Sequence, residues 1–176
     1  MRSVAVVALM IVSAGAGALL HSQGGTRAAE PDRVVRWSDA DLKTLDLNEL
    51  IPSAKASIPK GSSVGAKYFL NTAEHTVLIS HRESVGNKPE LHHAETDIMF
   101  VRTGGGILQV GGEIVDRKEN AAGATGSSMR GATDYHVVPG DVINIPPNVP
   151  HNWVLQPGEN VTYLVVKVKT AATPTK

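Results

Sequence analysis

The stretch from residue 140 to residue 151, GDVINIPPNVPH, constrains the fold of this chain more than any other segment. Its Gly-Asp pair predicts a tight turn, since glycine tolerates positive φ and aspartate can hydrogen-bond the neighbouring backbone. The β-branched run that follows predicts a short strand, which Pro146 and Pro147 end because proline cannot donate to a sheet. A second turn leads to His151, at the start of the next predicted strand. One imidazole is therefore held between two rigid corners, either as an ordinary packed histidine or as a ligand.

The first residues have the pattern of a signal peptide. Arg2 gives a positive start, residues 4–20 are apolar and uncharged, and Thr26-x-Ala28 offers a small-x-small cleavage site. An uncleaved anchor is the alternative, but the run is short for a membrane span and its glycines weaken it as a helix. We predict a signal peptide over residues 1–28, a secreted or periplasmic mature chain and no stable membrane anchor.

Composition excludes several classes of partner and site. Seventeen basic residues balance seventeen acidic ones and no basic stripe is present, so we predict no nucleic-acid partner. The absence of cysteine excludes disulfides, thiolate metal sites and a lipid anchor that needs a cysteine. Frequent glycine, scattered proline and few aromatic residues are typical of an all-β fold rich in turns.

Periodicity divides the rest of the chain into a helical part, a strand-rich part and a tail. A short helix N-capped by Ser38 is predicted to end before Pro52, and a loop follows, so residues 29–66 form a helix and loop. Short strands separated by turns follow over residues 67–169, which predicts a small barrel. Residues 170–176 are predicted to be a disordered tail.

Three features inside the strand-rich part carry further expectations. Gly111-Gly112 is predicted to be a two-residue hairpin turn. Residues 116–133 are rich in Gly, Ala and Ser and are predicted to be a mobile loop, of the kind that serves as a lid or insertion. His81 alternates with apolar residues and is predicted to be a packed histidine rather than a ligand.

Two stretches taken together resemble the paired motifs of the cupin superfamily, over about residues 68–168. The second motif, Gly, five residues, Pro-x-Gly, two residues and His, is matched by Gly140, Pro146 and His151. Asn148 stands in place of the turn glycine, and asparagine is the residue next best able to adopt a left-handed conformation. The first motif, His-x-His, three or four residues, Glu, six residues and Gly, is matched in part by residues 90–104.

The first motif can be aligned in two registers. Counting back from Gly104 places Asp97 where the family has glutamate, then His92, and then Glu90 where the family has its first histidine. In the other register His93 takes the place of His92, and an apolar residue takes the first position. We prefer the first register because it keeps a donor at every position. His93 replaces His92 if the register slips by one residue, and otherwise it faces solvent.

The resemblance implies an all-β fold, a small antiparallel cupin (jelly-roll) barrel with a short N-terminal helix, which holds a metal at its centre. Residues two apart on a strand share a face, so Glu90 and His92 can both point into the barrel, as a central metal would require. Two imidazoles with one or two carboxylates suit one divalent transition metal, which is Zn, Fe, Mn, Ni or Co. The resemblance also implies a homodimer. The candidate metal ligands are His92, Asp97, His151, Glu90 and His93.

The first functional hypothesis is an exported metal-dependent enzyme that acts on a small organic molecule, with Glu90 as a ligand or as a catalytic base. Within the family this means a dioxygenase, an isomerase or epimerase, or a lyase, and the residues do not select one. The alternative is a binding module for a sugar, an organic acid or the metal itself, in which Trp153 offers a surface for a ring. Some cupins have lost a ligand and bind no metal. A purely structural envelope protein is a third hypothesis, and the complete donor set argues against it.

Overall fold

In the computed structural model, which describes residues 36–58, 61 and 63–170, Ser38 caps a helical segment as the sequence predicts. Its hydroxyl accepts the backbone N–H of Asp41 at 3.1 Å, and the Asp41 carboxylate accepts the backbone N–H of Ser38 at 2.8 Å. This capping box satisfies donors that the first helical turn leaves free. The segment consists of α1 (Asp39–Leu45), a π-helical turn (Asp46–Leu50) and α2 (Ile51–Ser57). The predicted signal peptide, residues 1–28, lies outside the described residues, as does most of the predicted tail.

The prediction that the helix ends before Pro52 is wrong. The π-helical turn changes the hydrogen-bond register immediately before this residue, so Pro52 lies in the first turn of α2. Proline is tolerated there because the N–H groups of a first turn have no intrahelical acceptor. α2 therefore occupies part of the segment that was predicted to be a loop. None of the described helices is long and apolar enough to cross a membrane.

The strand-rich part begins three residues earlier than predicted and ends at the predicted residue. Every strand pairing recorded in it is antiparallel. The strands are β1 (Val64–Asn71), β2 (His75–Glu83), β3 (Glu90–His92), β4 (Glu95–Gly104), β5 (Gly106–Val110), β6 (Glu113–Val115), β7 (Lys118–Glu119), β8 (Gly123–Thr125), β9 (Ser128–Arg130), β10 (Thr133–Val137), β11 (Val142–Ile145), β12 (His151–Val154) and β13 (Asn160–Lys169).

Two sheets form the body of the molecule. The first has the strand order β1-β2-β13-β4-β11 and the second has the order β10-β5-β12-β3-β8-β7, while β6 pairs with β9 apart from both. Apart from β1 with β2 and β7 with β8, neighbours in each sheet are not consecutive in sequence, so the chain passes repeatedly from one sheet to the other, as in a jelly roll. The predicted all-β class and jelly-roll architecture are confirmed. Both sheets contribute to the main core, which consists of Leu78, Met99, Val101, Leu108, Val137, Ile145, Trp153, Leu155, Val161, Tyr163 and Val165.

The helical segment packs on the outer face of the first sheet. Leu42 and Leu50 form a separate apolar cluster with Ile79 of β2, whose side chain points away from the main core. His81 lies on the same outer face of β2, is 1% exposed, and contacts the Thr162 hydroxyl through Nδ1 at 2.7 Å. The prediction that His81 is a packed histidine is confirmed.

The segment predicted to be a mobile loop, residues 116–133, instead forms β7, β8 and β9. Leu91, between Glu90 and His92 in β3, packs against Ile114 and Ala124 in a small apolar cluster. A Cβ built on Gly123 would lie 1.9 Å from the carbonyl oxygen of Leu91, so only glycine permits this close approach of β8 to β3. Gly123, in a segment that resembled low complexity, is therefore required by close strand pairing.

Gly111 and Gly112 have φ angles of 78° and 68°, the positive values that a two-residue turn of this kind requires. The predicted hairpin is nevertheless wrong. β5 pairs with β10 and β12, whereas β6 pairs with β9, so the turn connects strands of different sheets.

Candidate metal centre

The turn between β11 and β12 connects the two predicted motifs. Asn148 has a φ of 61°, so it adopts the left-handed conformation expected of a residue in the place of a turn glycine. Its backbone N–H donates to the carbonyl oxygen of His92 at 2.7 Å. The turn of the second motif is therefore bonded directly to the strand of the first motif, which brings His151 beside β3.

His151 is the first residue of β12 and is 1% exposed. Its Nδ1 lies 3.1 Å from the carbonyl oxygen of Val149, and because a carbonyl only accepts, Nδ1 carries the hydrogen. The lone pair of the neutral ring is then on Nε2, for which no hydrogen-bond partner exists among the described residues. Burial lowers the pKa of His151, so the neutral form prevails at neutral pH. The arrangement leaves a buried nitrogen that is ready to bind an electron-pair acceptor.

Glu90 and His92 lie on one face of β3, two residues apart, as alternation on a strand requires. Glu90 stands opposite His151 in the ladder between β3 and β12, and Oε1 of Glu90 is 3.7 Å from Nε2 of His151. The rings of His92 and His151 have centroids 5.6 Å apart. One ligand atom from each of these three residues lies within 4.8 Å of the other two, which is the spacing of a candidate metal site.

Arg82 of β2 fixes the Glu90 carboxylate. One guanidinium nitrogen donates to Oε1 of Glu90 at 2.9 Å, and Nε of Arg82 donates to the Tyr163 hydroxyl at 2.8 Å. Burial alone would raise the pKa of Glu90, but the charge of Arg82 and its hydrogen bond to the carboxylate lower it below its ordinary value. Glu90 is therefore a carboxylate at neutral pH.

Asp97 of β4 approaches the same centre from the first sheet and is 3% exposed. Its Oδ2 is 3.4 Å from Nε2 of His92 and 3.9 Å from Nε2 of His151. Its Oδ1 accepts a hydrogen bond from Nζ of Lys167 at 2.8 Å. Burial opposes ionisation of Asp97, but the hydrogen bonding and positive charge around its carboxylate, including the ammonium group of Lys167, more than offset it and lower its pKa. Asp97 is thus a second carboxylate at the centre, with one oxygen engaged by an ammonium group.

His93 lies away from this centre. Its Nδ1 is 2.9 Å from the side-chain oxygen of Asn148 and its Nε2 is 3.1 Å from the Glu119 carboxylate. As the residue after His92 on an extended chain, it points to the other side. Of the two registers considered from the sequence, the structure brings His92 rather than His93 to Glu90 and His151.

Comparisons with known proteins find similarity only among solved structures: no protein-family model and no curated protein matches the chain. A cupin 2 conserved barrel domain protein from Rhodopseudomonas palustris is 18% identical, with a TM-score of 0.44, and the match covers 64% of this chain and 65% of that one. A cupin-like protein from Thermotoga maritima is 20% identical, with a TM-score of 0.45 and coverages of 63% and 72%. The DMSP lyase DddQ from Ruegeria pomeroyi is 13% identical, with a TM-score of 0.44 and coverages of 64% and 49%.

The assignment of the fold rests on the chain's own geometry. Two antiparallel sheets with jelly-roll connections enclose the core, and the histidine of the second motif lies beside the strand of the first motif. The architecture is that of a cupin barrel. The resemblance predicted from the paired motifs is confirmed at this level.

A cavity of about 440 Å³ borders the centre, although His151 and Asp97 are not among its lining residues. Glu90 and His92 are part of its wall, and strand β8, from the segment predicted to be a lid or insertion, also lines it. The polar residues of the wall are Arg82, Lys88, Glu90, His92, Asn120 and Thr125. A small polar molecule that enters this cavity would therefore meet the carboxylate and the imidazole directly.

The residues of the centre fit a divalent transition metal. The unpartnered Nε2 of His151 is the decisive feature, since a buried nitrogen with no hydrogen bond is costly unless something coordinates it. Its Nδ1–H is oriented by a backbone carbonyl, the support that metal-binding histidines usually have. Two imidazoles and one carboxylate form the set that leaves coordination positions open.

Sequence reasoning missed three residues of the centre: Arg82, Tyr163 and Lys167. The motifs contain none of them. One signal was present for Lys167, because Val161, Tyr163 and Val165 alternate as inward-facing residues of β13 and Lys167 continues that phase. A lysine in the inward phase of a strand predicts a buried partner for its charge.

Proposed function

We propose that this chain is an exported cupin that binds one divalent transition metal through Glu90, His92 and His151 and acts there on a small organic molecule. The observation that carries the proposal is the buried lone pair of His151, which lies beside an ionised carboxylate and a second imidazole. When bound, the metal would supply Lewis-acid or oxygen-activating chemistry.

The protein's own residues have distinct parts in this proposal. Val149 holds the tautomer of His151, and Arg82 holds Glu90 in place and ionised. A low pKa suits Glu90 as a ligand better than as a general base, because a base works best with a pKa near the operating pH. We therefore assign Glu90 the role of ligand, the first of the two roles expected from the sequence.

One observation favours non-catalytic capture as the second candidate function. The pKa values of Glu90, Asp97 and His151 are all displaced downward, away from neutrality, so none of these three groups is tuned to exchange a proton at neutral pH. A binding module for an organic acid or a sugar needs no such exchange. Trp153 does not serve it as a stacking surface, because the side chain is 2% exposed and packed in the core.

The test is the metal content of protein purified from cells that express the whole chain, compared with His151→Ala. We expect near-stoichiometric metal in the wild type and its loss in the variant, measured by inductively coupled plasma mass spectrometry. The matched control is His136→Ala, an exposed histidine of β10, which should keep the metal. A protein that binds none of Zn, Fe, Mn, Ni or Co after reconstitution contradicts the proposal. Turnover of candidate substrates by the loaded protein then separates catalysis from capture.

We also propose that residues 1–28 direct export, on the basis of the positive start, apolar run and small-x-small site described above. Cell fractionation should place the whole chain outside the cytoplasm. A version that begins at residue 29 should stay in the cytoplasm. Equal distribution of the two versions would contradict export.

A further inference from the structure

The ammonium group of Lys167 lies among the candidate metal ligands. Its Nζ is 2.8 Å from Nε2 of His92, 2.8 Å from Oδ1 of Asp97 and 3.5 Å from the Glu95 carboxylate. The side chain is 16% exposed, and its residue pairs with Asp97 across the ladder between β13 and β4. The position of this charge is therefore fixed by the fold of the first sheet.

The contact with His92 uses the lone pair that a metal would need. An ammonium group can only donate hydrogen bonds, so Nε2 of His92 is the acceptor in the pair. An imidazole nitrogen has one lone pair in the plane of its ring, so it cannot accept from Lys167 and coordinate a metal at the same time. A positive charge this close also repels a divalent cation.

We propose that Lys167 is a built-in competitor of the metal ion at His92. The ammonium and the metal exclude each other at Nε2, and Asp97 retains the ammonium when the metal enters. The inference rests on the proposed metal site and adds what sets its affinity. Lys167 is a positioning residue in this account, because it acts through His92 and Asp97.

The competition has a consequence for how the site works. Metal binding must release one hydrogen bond of Lys167, so the affinity is lower than the three ligands alone would give. The metal then exchanges more readily than it would from the same ligands without the lysine. Once displaced from His92, the ammonium remains next to the centre on Asp97, where it can donate to an anionic group.

The experiment compares Lys167→Met with wild type, since methionine keeps an unbranched side chain only one atom shorter and removes the charge and the donors. The matched control is Lys169→Met, two residues further along β13, because Nζ of Lys169 bonds Asn71 and Thr72 instead of the centre. Dissociation constants for Zn²⁺ and Co²⁺ are measured by competition with a chromophoric chelator. We expect Lys167→Met to bind about tenfold tighter or more, because binding no longer has to break a hydrogen bond from a charged donor, and Lys169→Met to be unchanged.

Thermal unfolding provides a second readout that a merely structural lysine would not produce. Without metal, Lys167→Met should melt at a lower temperature, because Asp97 loses the partner of its buried charge. The rise in melting temperature on adding Zn²⁺ should be larger than in wild type, because stabilisation by a ligand grows with affinity. If Lys167 had only a structural role, its replacement by methionine would lower both the melting temperature and the metal affinity.

The outcomes separate this inference from the proposed function. If wild type binds metal and Lys167→Met binds it equally or more weakly, Lys167 is no competitor and the metal site stands. If only Lys167→Met binds metal, the competition is supported in its strongest form, and the proposed function of the wild type fails. If neither protein binds any of the ions, both proposals are wrong.

Discussion

At the scale of single residues, the carbonyl oxygen of Val149 determines which nitrogen of His151 is free. The carbonyl binds Nδ1–H at 3.1 Å and leaves the lone pair on Nε2, which points to Glu90 and Asp97. The fixed backbone of the turn thus selects one tautomer. This selection is independent of the metal, so the ligand is oriented in advance.

Replacing Arg82 by methionine tests whether Glu90, like His151, is oriented for metal binding before the metal arrives. The variant loses the charge that lowers the pKa of Glu90 and the hydrogen bond that holds its carboxylate. We expect metal affinity to fall about 10- to 100-fold, the usual effect of losing a group that orients a ligand. Chelator competition with Zn²⁺ measures this.

The control is Arg102→Met, since Arg102 pairs with Asp39 of α1 and has no contact with the centre in the described structure. Its metal affinity should equal that of wild type. An Arg82→Met protein that folds and binds Zn²⁺ with unchanged affinity would show that Glu90 needs no such support.

The sequence anticipated the donors of the centre and not the groups that support them. The motif spacing pointed to Glu90, His92, Asp97 and His151, because ligands must recur at fixed offsets along a strand and a turn. Arg82 reaches the centre from β2 through a strand pairing that no local pattern reveals, whereas for Lys167 the inward phase of β13 was the one available signal. The choice between His92 and His93 likewise depended on the phase of a three-residue strand, which is too short for alternation to decide.

At the scale of elements, the short strand β3 is held from two sides. It pairs with β12 and β8, and where it ends the backbone N–H of Asn148 donates to the carbonyl oxygen of His92. The side-chain oxygen of Asn148 also contacts His93 at 2.9 Å. Three residues of strand are thereby enough to position two candidate ligands.

Substitution of Asn148 by alanine should loosen this arrangement. Alanine at a φ of 61° is strained by about 1–2 kcal/mol, and the contact with His93 is lost as well. We expect the free energy of unfolding to fall by at least that amount in urea denaturation. Asn148→Gly accepts the backbone conformation and should cost less. If glycine proves as costly as alanine, the conformation is not what the position requires.

Local chemistry predicted the turns better than it predicted the pairing of strands. Ser38 and Asn148 adopt the roles expected of them, because capping and left-handed turns depend on neighbouring atoms alone. Gly111-Gly112 makes its turn, yet the strands on either side pair elsewhere. The predicted helix end at Pro52 was wrong because the π-helical turn before it starts a new helix, α2, that contains this proline. No feature of the sequence indicates this change of helical register.

At the scale of the whole molecule, the barrel separates an apolar core from a charged centre, and this division makes its stability depend on pH. Glu90 and Asp97 have lowered pKa values, so they stabilise the fold above their ordinary values of 4.5 and 3.8 and lose that contribution as the pH falls further. His151 also has a lowered pKa, from an ordinary value of 6.5. Below about pH 6.5 the unfolded chain therefore takes up a proton that the folded chain does not.

We expect the metal-free protein to lose stability in two stages as the pH falls. The first begins below about pH 6.5 and comes from His151, and the second begins below about pH 4.5 and comes from the carboxylates. Urea denaturation in the presence of a chelator measures both. The first stage should shrink in His151→Gln, and its persistence there would assign it to another histidine.

The aromatic pair behind the centre, Trp153 and Tyr163, provides an intrinsic fluorescence probe of metal binding. Trp153 is 2% exposed and stacks on Tyr163 with ring centroids 5.5 Å apart, and the Tyr163 hydroxyl accepts the bond from Arg82, which in turn holds Glu90. The chain has one other tryptophan, Trp37, which stacks on Phe69 beside the helical segment. With Trp37→Phe, the remaining tryptophan fluorescence comes from Trp153, which Tyr163 and Arg82 link to the candidate ligand Glu90. Its emission should change when the centre binds a metal, so occupancy can be followed in solution without a label.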